Sequence, residues 1–153
     1  MKEEKEQNIH IKNKRAYFDF SIDDKFVAGI KLLGTEIKSI RQGKANLTDS
    51  FCTFIDGNLY IRNLHISEYT HGSFYNHEAK RDRVLLLQKK ELKKLKSRTE
   101  EKGFTIVPLT IFISGRGFAK VEIGLAQGKK TFDKRETMKE RDSKIEMDRV
   151  MKR

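Results

Sequence analysis

The stretch FTIVPLTIFI, residues 104–113, followed by FAKVEIGL, residues 118–125, decides the fold. Ser114-Gly115-Arg116-Gly117 separates the two apolar runs, and such a Gly-containing break reads as a hairpin turn. In the second arm Ala119, Val121, Ile123 and Leu125 alternate with Lys120 and Glu122. That period of two is the mark of a strand with one face toward a core. Pro108 has no N–H to give to a ladder, so it belongs at an edge or a bulge.

Working outward, Leu47 to Ile66 repeats the theme. Asp56-Gly57-Asn58 is a tight-turn signal between Phe51–Ile55 and Leu59–Leu64, with Leu59 and Ile61 alternating against Tyr60 and Arg62. Ala16 to Ile22 is aromatic and strand-like. Phe26 to Leu33 is a second apolar run, and Asp23-Asp24 reads as the turn between them. Gly34-Thr35 opens a short helix with Thr35 as N-cap, Ile37 and Ile40 on one face, and Gly43 as terminator. His65 to Arg83 is polar and aperiodic, a long loop of the kind that is usually functional. Leu85 to Lys102 reads as a second helix, with Leu85, Leu92 and Leu95 on one face and Gly103 closing it. Six or so strands with two to three helices predict a mainly β protein, a small antiparallel OB-like β-barrel. Residues 1–7 are expected to be disordered, residues 8–127 to form the barrel, and residues 128–153 to form a basic tail. That tail has helix propensity but no continuous apolar stripe, so it is expected to be disordered when free and helical when bound.

The chain has 153 residues and carries 33 Lys and Arg against 22 Asp and Glu, a formal net charge of +11. Such an excess repels itself in the folded state and serves attraction to a polyanion. Apolar residues make up 37% of the chain, which allows one modest core but not one spanning every residue. The single cysteine, Cys52, fits a reducing compartment. No apolar run approaches the roughly 20 residues that span a bilayer, and the charged start is not expected to act as a signal peptide. A cytoplasmic location away from membranes is expected. With no broad apolar patch in view, a monomer is expected too.

An enzymatic reading finds little support. Glu36-Ile37-Lys38 with Asp23 and Asp24 has the residue types of a metal-dependent nuclease. However, a carboxylate in the first turn of a helix is favoured by the macrodipole alone. His65, His71 and His77 could ligate zinc, but there is no CxxC or HExxH. No catalytic residue, metal or cofactor is predicted.

The basic clusters carry more information. Lys12, Lys14 and Arg15 precede the first strand-like run, Lys38, Arg41 and Lys44 follow the short helix, Lys80, Arg81 and Arg83 end the long loop, and Lys129, Lys130, Lys134 and Arg135 start the tail. Gathered by a barrel, these cations would neutralise phosphates and give affinity without reading sequence. Asn13, Asn46 and Glu36 would add selectivity through base edges or 2′-hydroxyls. Glu36 could instead be ion-paired with a neighbouring cation. Replacing it with Ala is expected to weaken RNA binding while leaving the fold intact.

Several strings, in order and spacing, go beyond a generic basic barrel. They are Asn13-Lys14-Arg15-Ala16, the GTEIKSIR run at 34–41, Gly43-Lys44-Ala45-Asn46-Leu47, His65-Ile66-Ser67, Leu85-Leu86-Leu87, and Gly128-Lys129-Lys130 followed by Asp133-Lys134-Arg135. The chain closely resembles the bacterial SsrA-binding protein (small protein B) family over roughly residues 8–153. The resemblance implies a role in trans-translation, in which the barrel binds the tRNA-like domain of transfer-messenger RNA and delivers it to ribosomes stalled without a stop codon. By matching position, Asn13, Glu36, Lys38, Arg41, Lys44 and Asn46 would face transfer-messenger RNA. Lys129, Lys130, Asp133, Lys134 and Arg135 would face ribosomal RNA at the small-subunit decoding centre of the 70S ribosome. Phe132 stands where relatives often carry His or Tyr, a change that keeps stacking and loses a hydrogen bond. Val150, Met151 and Lys152 would lie in the empty messenger channel. The chain departs from the family pattern at Glu68, at Glu78-Ala79 and at Val84, in or beside the long loop. The competing reading is a resident ribosomal or translation-factor protein with a similar barrel.

Overall fold

The computed structural model describes residues 9–70, 76–101 and 103–129. In chain order the elements are β1 (His10–Lys12), α1 (Lys14–Asp19), β2 (Phe20–Ile30), α2 (Gly34–Arg41), β3 (Ala45–Asn46), β4 (Phe51–Ile55), β5 (Asn58–Arg62), β6 (His65–Ile66), β7 (Arg83–Leu86), α3 (Lys89–Thr99), β8 (Phe104–Ile113) and β9 (Ala119–Gly128).

The β8–β9 hairpin is the spine. Its register runs from Ile113↔Ala119 to Phe104↔Gln127, with one irregularity between Pro108 and Thr110. Pro108 therefore sits at a bulge, where its missing N–H costs no ladder bond. From this hairpin the antiparallel pairing closes on itself: β8 to β4, β4 to β5, β5 to β7, β7 to β2, β2 to β9 and β9 back to β8. The result is a ring of six strands, mostly β as predicted. β1 extends β8 at Thr110–Phe112, on the edge where β4 meets Ile106. β3 and β6 form a separate two-stranded ribbon. At the β4–β5 turn Asp56 and Gly57 both have positive φ, 50° and 82°. That is the left-handed pair a two-residue hairpin loop needs, and Asp-Gly supplies it cheaply.

Two apolar clusters hold these elements. The larger lies around Leu59, Ile61, Leu64, Ile106, Ile111, Val121, Ile123 and Leu125, with Ile40 of α2 and Leu95 of α3 packed in. The smaller joins Ala16 of α1 to Val107, Leu109 and Ala126, with Phe20 and Ile22 beside them.

Four local expectations are corrected. Ala16 to Ile22 is not one strand: residues 14–19 are helical and β2 begins at Phe20. Asn13 caps this helix, its Oδ1 accepting from the Ala16 N–H at 3.3 Å, and a helix places Ala16 against the smaller cluster. Asp23-Asp24 is not a turn but an irregularity inside one eleven-residue strand, falling between Ile22 and Asp24. Leu85 is not helical. It belongs to β7, which pairs with β5 and β2, and the helix begins only at Lys89. Gln88 marks that start, its N–H donating to Glu91 Oε1 at 3.2 Å. The polar stretch from His65 contains β6, and its end at Arg83 is already strand. Among the described residues no helix is long and apolar enough to cross a membrane. The tail expectations for residues 130–153, and those for residues 1–8 and for His71, lie outside the described residues.

Candidate nucleic-acid interface

The segment from Gly34 to Asn46 presents three of the predicted cations, Lys38, Arg41 and Lys44. Its helix α2 starts at Gly34 because Leu33 takes an extended conformation, and its end passes through Gly43 at φ 73°. Ile40 turns into the core, while Lys38 is exposed. The predicted N-cap, Thr35, does another job. Its hydroxyl pairs with His77 Nδ1 at 2.9 Å, and His77 Nε2 meets the Ile66 carbonyl at 2.9 Å. A carbonyl only accepts, so Nε2 carries the hydrogen and Nδ1 accepts from Thr35. The buried His77 thus ties α2 to β6.

Glu36 secures α2 more firmly. Its carboxylate is 0% exposed. Oε1 accepts from the Leu33 N–H at 2.8 Å and from Arg81 Nη2 at 2.7 Å, and Oε2 accepts from Arg83 Nε. Arg83, also 0% exposed, donates onward to the carbonyls of Leu64 at 2.7 Å and Ala79 at 3.2 Å. Burial by itself raises the Glu36 carboxyl, but the bonds from Arg81, the Leu33 N–H and Arg83 outweigh it, so the group sits below its ordinary value. Burial draws the Arg83 guanidinium down, against the opposing pull of Glu36. Of the two roles open to Glu36, the geometry is that of the ion pair. The triad joins α2, the end of the long loop and β7.

Asn13 is likewise spent inside the fold. It is 4% exposed, and its Nδ2 donates to the carbonyls of Pro108 at 2.9 Å and Leu47 at 3.3 Å. One side chain therefore joins the start of α1, the β8 bulge and the residue after β3. Lys14 and Arg15 are exposed on the helix that it caps, with Arg15 paired to Asp19 at 3.0 Å.

The structure thus sorts the predicted residues into two groups. Asn13, Glu36 and Arg83 are internal, with Arg81 bridging to the surface. Lys38, Lys44, Asn46 and Lys80 are exposed, and Arg41 is half-buried. Lys38 Nζ lies 5.4 Å from the centre of the Tyr69 ring, and Asn46 Oδ1 accepts from the Thr48 N–H at 2.8 Å. Asn46 and His65 are paired across the β3–β6 ribbon.

Sequence reasoning missed a cleft beside α2. Arg41 Nη2 donates to the Gly117 carbonyl at 3.3 Å, bringing the β8–β9 turn against the helix. Between them lies a cavity of about 550 Å³ lined by Ile37, Leu86, Phe118, Arg41, Arg116 and Lys120, among others. Leu86 is 56% exposed and Phe118 67%. An apolar floor rimmed by three cations is the chemistry that takes a nucleobase and its phosphate together. The available signal was a pair of large apolar residues next to buried ones, Leu86 at an outward position of β7 beside Leu85 and Phe118 just before β9 beside Ala119.

The nuclease constellation does not assemble. Asp24 pairs with Lys94 at 3.6 Å and Asp23 with Arg98 at 3.8 Å, both on α3, whereas Glu36 is held by Arg81 and Arg83. Among the described residues no three His, Cys, Asp or Glu side chains form a group able to hold a metal ion. Cys52 is buried, and burial pushes its thiol up, away from the thiolate form that reacts.

Fold and surface together define a small β-ring protein with a cationic face, carried on a segment tied to the ring by buried networks and suited to a polyanion. The family model described as SmpB protein matches residues 10–153, and the chain belongs to that family. It is 56% identical to the SsrA-binding protein of Phocaeicola vulgatus over 145 residues, 95% of this chain and 97% of that one. Against the SsrA-binding protein of Parabacteroides distasonis it is 54% identical over the full length of both. A solved structure described as "tmRNA-SmpB: a journey to the center of the bacterial ribosome" superposes with a TM-score of 0.68 at 49% identity, covering 80% of this chain and 86% of that one.

Proposed function

We propose that this protein binds the tRNA-like domain of transfer-messenger RNA and carries it to stalled ribosomes, acting as an adaptor and not as an enzyme. Family membership supports the reading, as does the likeness to a structure whose description joins this family to transfer-messenger RNA and the bacterial ribosome. The observation that carries it is mechanical. Lys38, Arg41, Lys44 and Asn46 come from one short segment that two buried networks, Glu36–Arg81–Arg83 and Thr35–His77–Ile66, hold against the ring. A segment whose backbone is held in place presents its cations in one spatial arrangement, so they can favour a matching arrangement of phosphates and not merely attract them. Lys14, Arg15 and Lys80 extend the face, and the Leu86–Phe118 cleft takes an unstacked base. Asn13, Glu36, Arg81 and Arg83 contribute by positioning.

In this reading residues 8–127 are the RNA-holding unit and residues 128–153 the ribosome-directed tail. Lys129, Lys130, Asp133, Lys134 and Arg135 would meet the decoding centre, with Phe132 stacking there. Val150, Met151 and Lys152 would enter the messenger channel as the tail turns helical. The protein would work as a cytoplasmic monomer.

The test is binding to the tRNA-like domain across a salt series with ordinary tRNA as competitor. Recognition that resists the competitor and persists as salt rises is expected. Equal binding to both RNAs, collapsing steeply with salt, would favour a generic resident of ribosomal RNA instead.

A further inference from the structure

Helix α3 has a face that the fold does not use. Its inner side is Leu95, fully buried, with Leu92 half-buried beside it. Two of its cations dock it to the ring: Lys94 reaches Asp24 and lies 5.7 Å from the Phe26 ring centre, and Arg98 reaches Asp23 and lies 4.7 Å from the Phe104 ring centre. Its one acidic residue, Glu91, turns back to accept from the Gln88 N–H. What remains is Lys89, Lys90, Lys93 and Lys96. At about 100° per residue Lys89, Lys90 and Lys93 fall roughly 120–160° from Leu95, and Lys96 stands at about 100°, on the flank of the same outer face. All are exposed, and none forms an ion pair with another described residue.

A row of like charges on one helix is destabilising unless something outside the fold compensates it. This row spans about 10 Å, the scale of two or three backbone phosphates. It is also separate from the α2 face. Along the β2–β9 ladder, Asp24, which holds Lys94, is opposite Leu125. Gly29 is opposite Lys120, and both of these line the cleft beside α2. Five residues of strand, about 16 Å, lie between the two levels. A segment of two or three phosphates seated at α2 therefore does not also neutralise α3.

We propose that the outer face of α3 is a second RNA-docking surface, taking the phosphate backbone of an RNA segment other than the one held at α2. It rests on the adaptor reading and adds a second hand to it: α2 holds the delivered RNA and α3 grips RNA at the destination. An acidic protein partner is the alternative occupant that the test can reveal.

The experiment uses the full chain with Lys89→Gln, Lys90→Gln, Lys93→Gln and Lys96→Gln combined, beside a Lys38→Gln, Lys44→Gln variant and the unaltered protein. Each is titrated with the isolated tRNA-like domain and with 70S ribosomes over a salt series, before and after the ribosomes are stripped of proteins to bare ribosomal RNA. All four altered α3 side chains are exposed, so unchanged thermal melting is expected. The α3 variant should bind the tRNA-like domain within about twofold of the unaltered protein. It should bind both ribosomes and bare ribosomal RNA about tenfold more weakly, with a salt slope shallower by about 0.9 for each phosphate that is no longer neutralised. Unchanged ribosome affinity and slope would overturn the proposal. So would equal losses on both RNAs, which would make α3 part of a single surface. A loss on ribosomes that disappears on bare RNA would overturn it in favour of an acidic protein. If instead the α2 variant binds the tRNA-like domain as the unaltered protein does, the α2 assignment fails, while the α3 result still stands on its own.

Discussion

Glu36 shows how a residue can govern binding without touching the ligand. Both carboxylate oxygens are engaged inside the fold, and Arg83 beneath it has no exposed surface. Removing the carboxylate leaves a buried guanidinium uncompensated, a change that costs about 3–5 kcal/mol. The expectation that Glu36→Ala spares the fold is therefore replaced by its opposite. Urea titration should show Glu36→Ala strongly destabilised, with RNA affinity lost along with the folded fraction. A variant that melts like the unaltered protein yet binds poorly would restore direct contact. The same carboxyl sets an acid limit. Its folded value lies below the ordinary 4.5, so the unfolded chain takes up the proton first. Its stabilising contribution is complete above the ordinary carboxylate range and is lost as pH falls through the folded value. Stability measured from pH 6 downward should fall, and Glu36→Gln should flatten part of that slope. Asn13 is the second such residue. Asn13→Ala deletes a cap and two bonds to buried carbonyls, for about 1–3 kcal/mol, and should lower the melting temperature.

Among the elements, the legible ones were those whose pattern and neighbours agree. The β8–β9 hairpin alternates cleanly and closes over a Gly-containing turn, and the β4–β5 hairpin carries Asp56-Gly57, whose backbone only a few residue types adopt readily. α1 was not legible because three aromatics, Tyr17, Phe18 and Phe20, imitate a strand, while the decisive signal was a single polar cap, Asn13. β7 was hidden because Leu85-Leu86-Leu87 continues into a real helix, and pairing with β5 and β2 overrides the helical period. At the site, the cations were legible as a composition, but which polar residues would be buried was not, since burial depends on pairings such as Glu36 with Arg83, 47 residues apart. Gly124 on β9 lies under the side chains of Ile22 and Leu109; a Cβ there would stand 2.9 Å from Ile22 Cγ2 and 3.0 Å from Leu109 Cδ1. Replacing a glycine by alanine can gain about 0.4–1 kcal/mol through the unfolded chain, but overpacking costs about 1–3 kcal/mol, so packing wins. Gly124→Ala should lower the melting temperature by several degrees; an unchanged or raised value would show that β2 and the β8 bulge yield easily.

For the whole molecule, the distribution of charge separates holding from delivering. Residues 129–153 carry ten Lys and Arg against six Asp and Glu, a net +4 of the total +11. Most of the excess thus stays on residues 1–128, and with it most of the long-range attraction to RNA. The boundary is also cheap to cut. Gly128 is the last residue of β9, paired with Phe20, and beyond it the Lys129 N–H donates to the Asp19 carbonyl at 2.9 Å. Ending the chain after Gly128 removes that bond, worth about 1 kcal/mol, and leaves both apolar clusters whole. The shortened protein should fold, and should bind the tRNA-like domain within a few-fold of the full chain at moderate salt. It should fail to support tagging of stalled nascent chains, because the segment proposed to enter the decoding centre and messenger channel is gone. Retained tagging would remove the tail from the mechanism. Lost RNA binding with an intact fold would instead show that residues 8–127 are not a complete RNA-holding unit, and that the tail shares in gripping the delivered RNA.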